Sequence, residues 1–206
     1  MPLTIYEEDF AVESPEPDRP PRYRISLGQP SHRQAIKAMV KARRDWMRHH
    51  GLATDPVEPP VLSHLGSGAP AGAQVWVLHE ESMLRGAAVT SIAPTVNLQW
   101  HQDPDSESLW LHDMYTDPDT HDAPGRWLTW WLSQHYASCL TYVFTALCDE
   151  VLARKFATVH VMELHPTQDE FRPFLLRRRT GPARRRLHTY VASDVPPPDA
   201  ATRLRP

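Results

Sequence analysis

Between Ser108 and Ala137 the spacing of apolar side chains changes period, and the rest of the chain is read from that change. Leu109, Trp110, Leu111, Met114 and Tyr115 form a short apolar run broken only by His112 and Asp113, which has the length and texture of a strand covered on both faces. Asp117-Pro118-Asp119 stops the run, and Thr120 to Pro124 continue neither a strand nor a helix. Leu128, Trp131, Leu132 and Tyr136 then recur at i, i+3, i+4 and i+8, so a helix begins near Gly125. A loop that leads from a strand end to a helix start gathers backbone N–H groups at the positive end of the helix dipole. That geometry favours a phosphate-bearing anion.

On either side the pattern alternates between strands and helices. Tyr23 to Leu27 alternates as a strand, and Gly28-Gln29-Pro30 ends it. Ser31 with Gln34 makes a capping box for a helix carrying Ile36, Met39, Val40, Arg43, Trp46 and Met47 on one stripe, with Gly51 as its C-terminal stop. Residues 51–72 are a long Pro-, Gly- and Ser-rich loop with one helical turn from Val61 to Leu65. Gln74 to His79 and Leu84 to Ile92 read as an antiparallel hairpin, and residues 94–107 are polar. Leu140 to Leu147 is a further strand, parallel to the central one because a helix connects them. Asp149-Glu150 opens a helix whose Leu152, Phe156, Val159 and Glu163 share a face and which stops before Pro166. Phe174 to Arg179 and Arg184 to Val191 read as a final hairpin turning at Gly181-Pro182.

Composition adds boundaries. The chain of 206 residues, 41% hydrophobic with seven Trp, supports one domain with a real core, expected over residues 23–192. Residues 1–22 are an acidic, Pro-rich arm, and residues 193–206 are expected to be a disordered Pro-rich tail. With 22 basic against 25 acidic residues the formal charge is −3, which disfavours nucleic acid as a partner. No apolar run approaches the ~18 residues that would span a membrane. The acidic N-terminus lacks a secretory pattern, so a cytoplasmic protein is expected, with Cys139 and Cys148 as buried free thiols.

The order of strand, Asp-Pro, short loop and Gly-containing turn into an apolar helix, carried here by Leu109 to Tyr136, resembles the central motif of the GCN5-related N-acetyltransferases (GNAT). Pro124-Gly125-Arg126-Trp127-Leu128-Thr129 matches the letters of that family's pyrophosphate loop only at Gly125, with Trp127 and Thr129 at positions where small residues are usual. The resemblance implies an α/β fold with a central mixed, mostly antiparallel sheet and helices on both faces. It implies acetyl-CoA as cosubstrate and direct transfer to a small amine or a protein amino group. It also implies that the two parallel strands splay apart around the pantetheine arm. Carried over residue by residue, the backbone of Met114, Tyr115 and Thr116 would meet the thioester and pantetheine, and Gly125, Arg126, Trp127, Leu128 and Thr129 the pyrophosphate. Expected partners are a small-molecule or peptide amine and, in a homodimer, a second copy of the chain.

Acyl transfer to an amine needs a polarised carbonyl, a route for the amine proton, and sometimes an acid for the leaving thiolate. The candidate titratable residues are His112, Asp113 and Glu150, together with Asp149 and His160. Strand alternation sends His112 and Asp113 to opposite faces, while Asp149 and Glu150 also fit a helix start. Where the family commonly places a tyrosine acid, this chain has Phe156 and Ala157. A non-catalytic protein that keeps the fold and has lost acetyl-CoA turnover is therefore the alternative. His160, Glu163 and His165 superficially suggest a metal set, but no metal is expected. Trp127 and Trp130 lie off the apolar stripe, which leaves two readings, an exposed ligand or partner surface or packing beneath the acidic arm. The arginines of 177–179 and 184–186 read as a solvated basic edge, or as a contact for nucleic acid or for the 3′-phosphate of CoA.

Overall fold

The computed structural model describes residues 21–52, 60–63, 65, 72–94, 107–120, 123–167, 174–181 and 187–198. Eight strands form one sheet in the order β6-β7-β5-β4-β3-β2-β1-β8. The chain enters through β1 (Tyr23–Leu27), α1 (Arg33–His49), a helical turn α2 (Pro60–Ser63), β2 (Ala73–Glu80), β3 (Met83–Pro94) and β4 (Glu107–Thr116). It continues through α3 (Pro124–His135), β5 (Tyr142–Leu147), α4 (Glu150–His160), β6 (Glu163–Pro166), β7 (Phe174–Arg179), a helical turn α5 (Leu187–Tyr190) and β8 (Val191–Ser193). Every pairing is antiparallel except β4 with β5 and β1 with β8.

Helices cover both faces because the strands are apolar on both. Against one face α1 and α2 bury Ile36, Met39, Val40, Val61 and Leu62 on Val75, Val77, Ala87 and Val89. Against the other, α3 buries Trp127, Leu128, Trp131 and Leu132 on Ile25, Trp76, Leu78, Ala88, Leu109 and Leu111. Trp76 anchors that side, meeting Trp131 edge-on and donating its indole N–H to the buried Thr90 hydroxyl at 2.9 Å. Helix α1 ends as its sequence predicts. Gly51 takes a positive φ of 69°, and the Leu52 N–H reaches back to the Met47 carbonyl at 2.9 Å.

Several expectations need correction. Ser31 lies inside a short 3-10 turn, Pro30–His32, and the chain entering α1 is instead braced by the Gln29 N–H donating to His32 Nδ1 at 3.0 Å. The expected final hairpin does not form: β7 pairs with β5 and with β6, while β8 crosses to the far edge and runs parallel to β1. A strand of three residues joined to a distant partner leaves no local pattern to read. Glu163 is not on the preceding helix, because α4 ends at His160 and Glu163 begins β6. Part of the expected tail is docked. Ser193 closes β8, Val195 packs on the core, and the Pro198 carbonyl accepts from Ser138. Cys148 is exposed and Cys139 half-buried, and neither forms a disulfide. The acidic arm over residues 1–20, most of the loops at 51–72 and 93–107, the turn with Arg184–Arg186, and residues 199–206 lie outside the described residues.

Candidate functional site

The site is built where β4 and β5 part. The two strands pair only at Leu109 with Val143 and at Trp110 with Phe144, although β4 continues to Thr116 and β5 to Leu147. On its other side β4 stays paired with β3 as far as Thr116 opposite Gly86. The Asp117 N–H donates to the Arg85 carbonyl at 3.0 Å. Antiparallel alternation then assigns the amides of Tyr115 and Asp113 to β3, and turns the N–H and C=O groups of Met114 and Thr116 toward the side β5 has left. The result is a wedge with a row of backbone donors and acceptors along one wall.

A bulge sets this register. Val89 faces Asp113 and Thr90 faces Leu111, which leaves His112 as the extra residue of β4. The bulge cancels the alternation expected for His112 and Asp113. Tyr115 packs with the α1-side core, and Asp113 shares its parity, while Met114 packs on the α3 side. His112 reaches Ser91 on the same side as Asp113, with its Nε2 2.7 Å from the Ser91 hydroxyl. Both candidates thus project toward the α1 face, where Asp113 is half-buried and His112 exposed.

The end of β4 is fixed by charge. Arg85 bridges Glu80 at 3.0 Å and Asp117 at 2.6 Å, and the Asp119 N–H donates to the other Asp117 oxygen at 3.1 Å. This turn delivers the chain to the start of α3, where Ala123 sits in the left-handed region at φ 47°. Helix α3 then presses its first turn against β4 and α4. A Cβ on Gly125 would lie 2.8 Å from Met114 Cε, 3.2 Å from Thr116 Cγ2 and 3.3 Å from His160 Cε1, so glycine is needed for the approach. The Arg126 N–H donates to the Ala123 carbonyl and Pro124 has no N–H, which leaves the Gly125 amide at the front of the helix.

Two guanidinium groups and a histidine converge there. Arg126 lies over the rings of Trp127 and Trp130 at 5.1 and 5.3 Å, and Arg178 of β7 lies over Trp130 at 5.3 Å and donates to the His160 carbonyl. His160 is buried, with its Nδ1 2.9 Å from the Thr129 hydroxyl, and Phe156 stacks on its ring at 3.8 Å. Burial, aided by Arg178 and Arg126, pushes its pKa down to about 3. The ring is therefore neutral near pH 7, and the site around it is electropositive. Trp127 is only 6% exposed and Trp130 half-buried, so of the two readings packing holds for Trp127 and exposure does not. Their helix is surrounded except along the line of Trp130 and the exposed Gln134.

The remaining candidates sit on α4. Asp149 caps the helix by accepting from the Leu152 N–H at 2.8 Å, and Glu150 pairs with Arg154 one turn on at 2.6 Å. Among the described residues no cluster of His, Cys, Asp or Glu has the geometry of a metal site, and no helix is long and apolar enough to cross a membrane. The sequence offered Arg178 only among the arginines of 177–179, as a solvated edge or a contact for nucleic acid or CoA, and gave no sign of its place beside His160 and Trp130. Nor did it show the contact between His160 and Thr129, whose partners are brought together only by packing of α4 on α3.

No protein-family model matches the sequence, and no curated protein matches it either. Solved structures do. A GNAT-family acetyltransferase from Listeria monocytogenes superposes with a TM-score of 0.53 at 11% identity, covering 76% of this chain and 94% of that one. The PaiA N-acetyltransferase from Thermoplasma acidophilum, in complex with coenzyme A, gives 0.54 at 10% identity over 76% and 98%. An aminoglycoside N(6′)-acetyltransferase from Legionella pneumophila gives 0.51 at 11% over 80% and 96%. The chain has the fold of the GCN5-related N-acetyltransferases. Within that GNAT fold the wedge between β4 and β5 and the first turn of α3 are contiguous, joined through Met114, Thr116 and Gly125.

Proposed function

We propose that this protein binds acetyl-CoA in the β4–β5 wedge and transfers the acetyl group directly to a primary amine, either a small molecule or a protein amino group. The observation that carries the reading is the parting of β4 from β5 where β4 turns the backbone of Met114 and Thr116 into the gap. An extended pantetheine chain, rich in amides, can hydrogen-bond to such an edge as a strand would. The Met114 N–H polarises the thioester carbonyl, and its developing negative charge strengthens that bond in the transition state. The pyrophosphate lies at the start of α3, over the Gly125 amide, where Arg126 and Arg178 add positive potential. The side chains of Trp127, Leu128 and Thr129 are buried and serve by packing, so only backbone there faces the ligand. Coenzyme A in the Thermoplasma neighbour supports the same cosubstrate here.

Proton handling separates this chain from a tyrosine-assisted mechanism. Phe156 has no proton to give, and His160 behind it is neutral and engaged with Thr129. The thiolate leaves unprotonated or takes a proton from water, and rate enhancement rests on holding the amine against the thioester. Asp113, on the α1 face of β4, is our candidate to receive the amine proton, with His112 beside it on the bulge. Calorimetry with acetyl-CoA, followed by release of the CoA thiol against a panel of amines, tests the reading. Absence of acetyl-CoA binding would overturn it.

The stacking of Phe156 on His160 favours a second reading, a binding protein on the same fold without turnover. Phe156→Tyr distinguishes the two. An enzyme that works without an acid keeps or raises its rate when the hydroxyl is supplied, whereas a binding protein shows no thiol release in either form.

A further inference from the structure

The stripe that α1 turns toward the sheet begins apolar, with Ile36, Met39 and Val40. One turn later the same stripe carries Arg43, Trp46 and His50. Arg43 is half-buried, its guanidinium lies 4.5 Å from the centre of the Trp46 ring, and His50 stacks on that ring at 4.0 Å. Burial lowers the Arg43 pKa, and among the described residues no carboxylate acts against that shift. On the same helix Lys41 and Arg48 pair with Asp45, and on α4 Arg154 pairs with Glu150.

The second cation comes from across the sheet. Lys155 of α4 places its ammonium 5.7 Å from the Trp46 ring, and no ion pair is recorded for it among the described residues. Helix α1 covers β3 and β4 on one face, and α4 packs beside β5 and β7 on the other. Side chains from helices on opposite faces can meet only where the sheet between them is open. The contact of Trp46 with Lys155 therefore marks the mouth of the β4–β5 wedge.

We infer that Arg43 and Lys155, 4.5 and 5.7 Å from the Trp46 ring, receive an anionic substituent of the amine acceptor, a carboxylate or a phosphate. The inference rests on the transfer reading above and assigns its acceptor class. A desolvated guanidinium with no carboxylate beside it among the described residues gains most from an anion that brings its charge to the same place, and Arg binds both anions through paired N–H donors. Trp46 fixes the plane of that fork by stacking. An amine with further positive charges meets repulsion at this mouth. Aminoglycosides, the class named for the Legionella neighbour, are polycations and do not fit it.

Matched amines test the assignment: β-alanine, O-phosphoethanolamine, propylamine and 1,3-diaminopropane, with wild type, Arg43→Met, Arg43→Lys and Lys155→Met. Acetyl-CoA affinity is measured first by calorimetry and is expected to be equal in all four proteins. In thiol release, wild type should prefer one of the anionic amines. Arg43→Met should lower kcat/KM for that amine roughly ten- to hundredfold while leaving propylamine unchanged. Lys155→Met should do the same to a smaller degree, and Arg43→Lys should restore part of the loss. Preference for propylamine or the diamine, or an equal fall across the panel, overturns the inference and leaves the transfer reading standing. If acetyl-CoA binds and no amine turns over, titration of β-alanine and O-phosphoethanolamine by calorimetry decides: binding lost in Arg43→Met keeps the anion site and sinks transfer, and binding absent in wild type sinks the site.

Discussion

The wedge is flanked by two units of the same construction, β4 followed by α3 and β5 followed by α4, yet their helices are used in opposite ways. Ten of the twelve residues of α3 are buried, including Arg126 and His135, whereas α4 buries only Ala153 and His160 of its eleven. Helix α3 is enclosed by the sheet, α4, α5 and β7, so its first turn and the Gly125 amide are fixed before any ligand arrives. Helix α4 leaves Lys155, Arg154 and Val151 in solvent, and its sequence can vary without disturbing the core. A rigid unit suits the part of a ligand that never changes, and an open one suits the part that sets specificity.

Acid should break this arrangement most. His135, stacked on Trp131, is buried with its pKa pushed down to about 4, and His160 is held at about 3. Both folded pKa values lie below the unfolded value, so the unfolded chain binds the extra protons. Stability from these groups is therefore present above about pH 6.5 and lost as pH falls through the window toward 4 and 3. By pH 5 the two together should cost roughly 4 kcal/mol relative to pH 7.5. Urea titrations at several pH values check this, and His160→Gln should remove about half of the slope. A pH-independent midpoint between 7.5 and 5 would show that neither ring is buried neutral.

A core truncation comes next. Leu132 on α3 is fully buried, so Leu132→Ala should destabilise by about 3 kcal/mol, or about 9 °C in Tm. The same change at the half-buried Leu152 of α4 should cost about 1 kcal/mol. Equal losses would erase the distinction between the two helices.

That distinction was only partly legible in the sequence. The strand, loop and helix from Leu109 to Tyr136 were, because the period changes from two to 3.6 within a few residues. So were α1 with its glycine stop and the hairpin of β2 and β3, since each depends on neighbours in the chain. The burial of Trp127 and half-burial of Trp130 were left as one of two readings. An apolar stripe along one helix implies that the opposite face meets water, and α3 has cover on several sides. The bulge at His112 was also hidden, because one extra residue changes which side chains face α1 without changing any spacing in the sequence. Strand β6 lay concealed behind helix spacing that placed Glu163 on the face of Leu152 and Phe156.

Cofactor affinity supplies a finer test of the rigid unit. Gly125→Ala and Gly125→Pro both introduce a Cβ against Met114, Thr116 and His160, but only proline removes the amide. If the pyrophosphate lies on that N–H, Gly125→Pro should bind acetyl-CoA about tenfold more weakly than Gly125→Ala, a difference of about 1.4 kcal/mol. Equal affinities by calorimetry would move the pyrophosphate elsewhere, whatever the cost of the extra carbon to both variants.

The smallest expected effect lies at the C-terminus of α4, which ends in the same backbone motif as α1 but with a different residue. In α1 the left-handed position is Gly51, whereas in α4 it is Val161 at φ 54°. The Met162 N–H reaches back to the Ala157 carbonyl at 2.9 Å and the Val161 N–H to that of Thr158 at 3.4 Å, so the motif is complete despite the valine. A β-branched residue there costs about 1–2 kcal/mol in the folded chain. Glycine would recover most of that and give back about 0.5–1 kcal/mol through the greater freedom of the unfolded chain. Val161 is 55% exposed, so little packing is lost with its side chain. Val161→Gly should therefore raise stability by about 0.5 kcal/mol, seen as a Tm increase of roughly 1–2 °C with acetyl-CoA affinity unchanged. A fall in Tm would mean that the Val161 side chain is held by a contact that its exposure does not reveal, and α4 would then be less open than its sequence and burial make it.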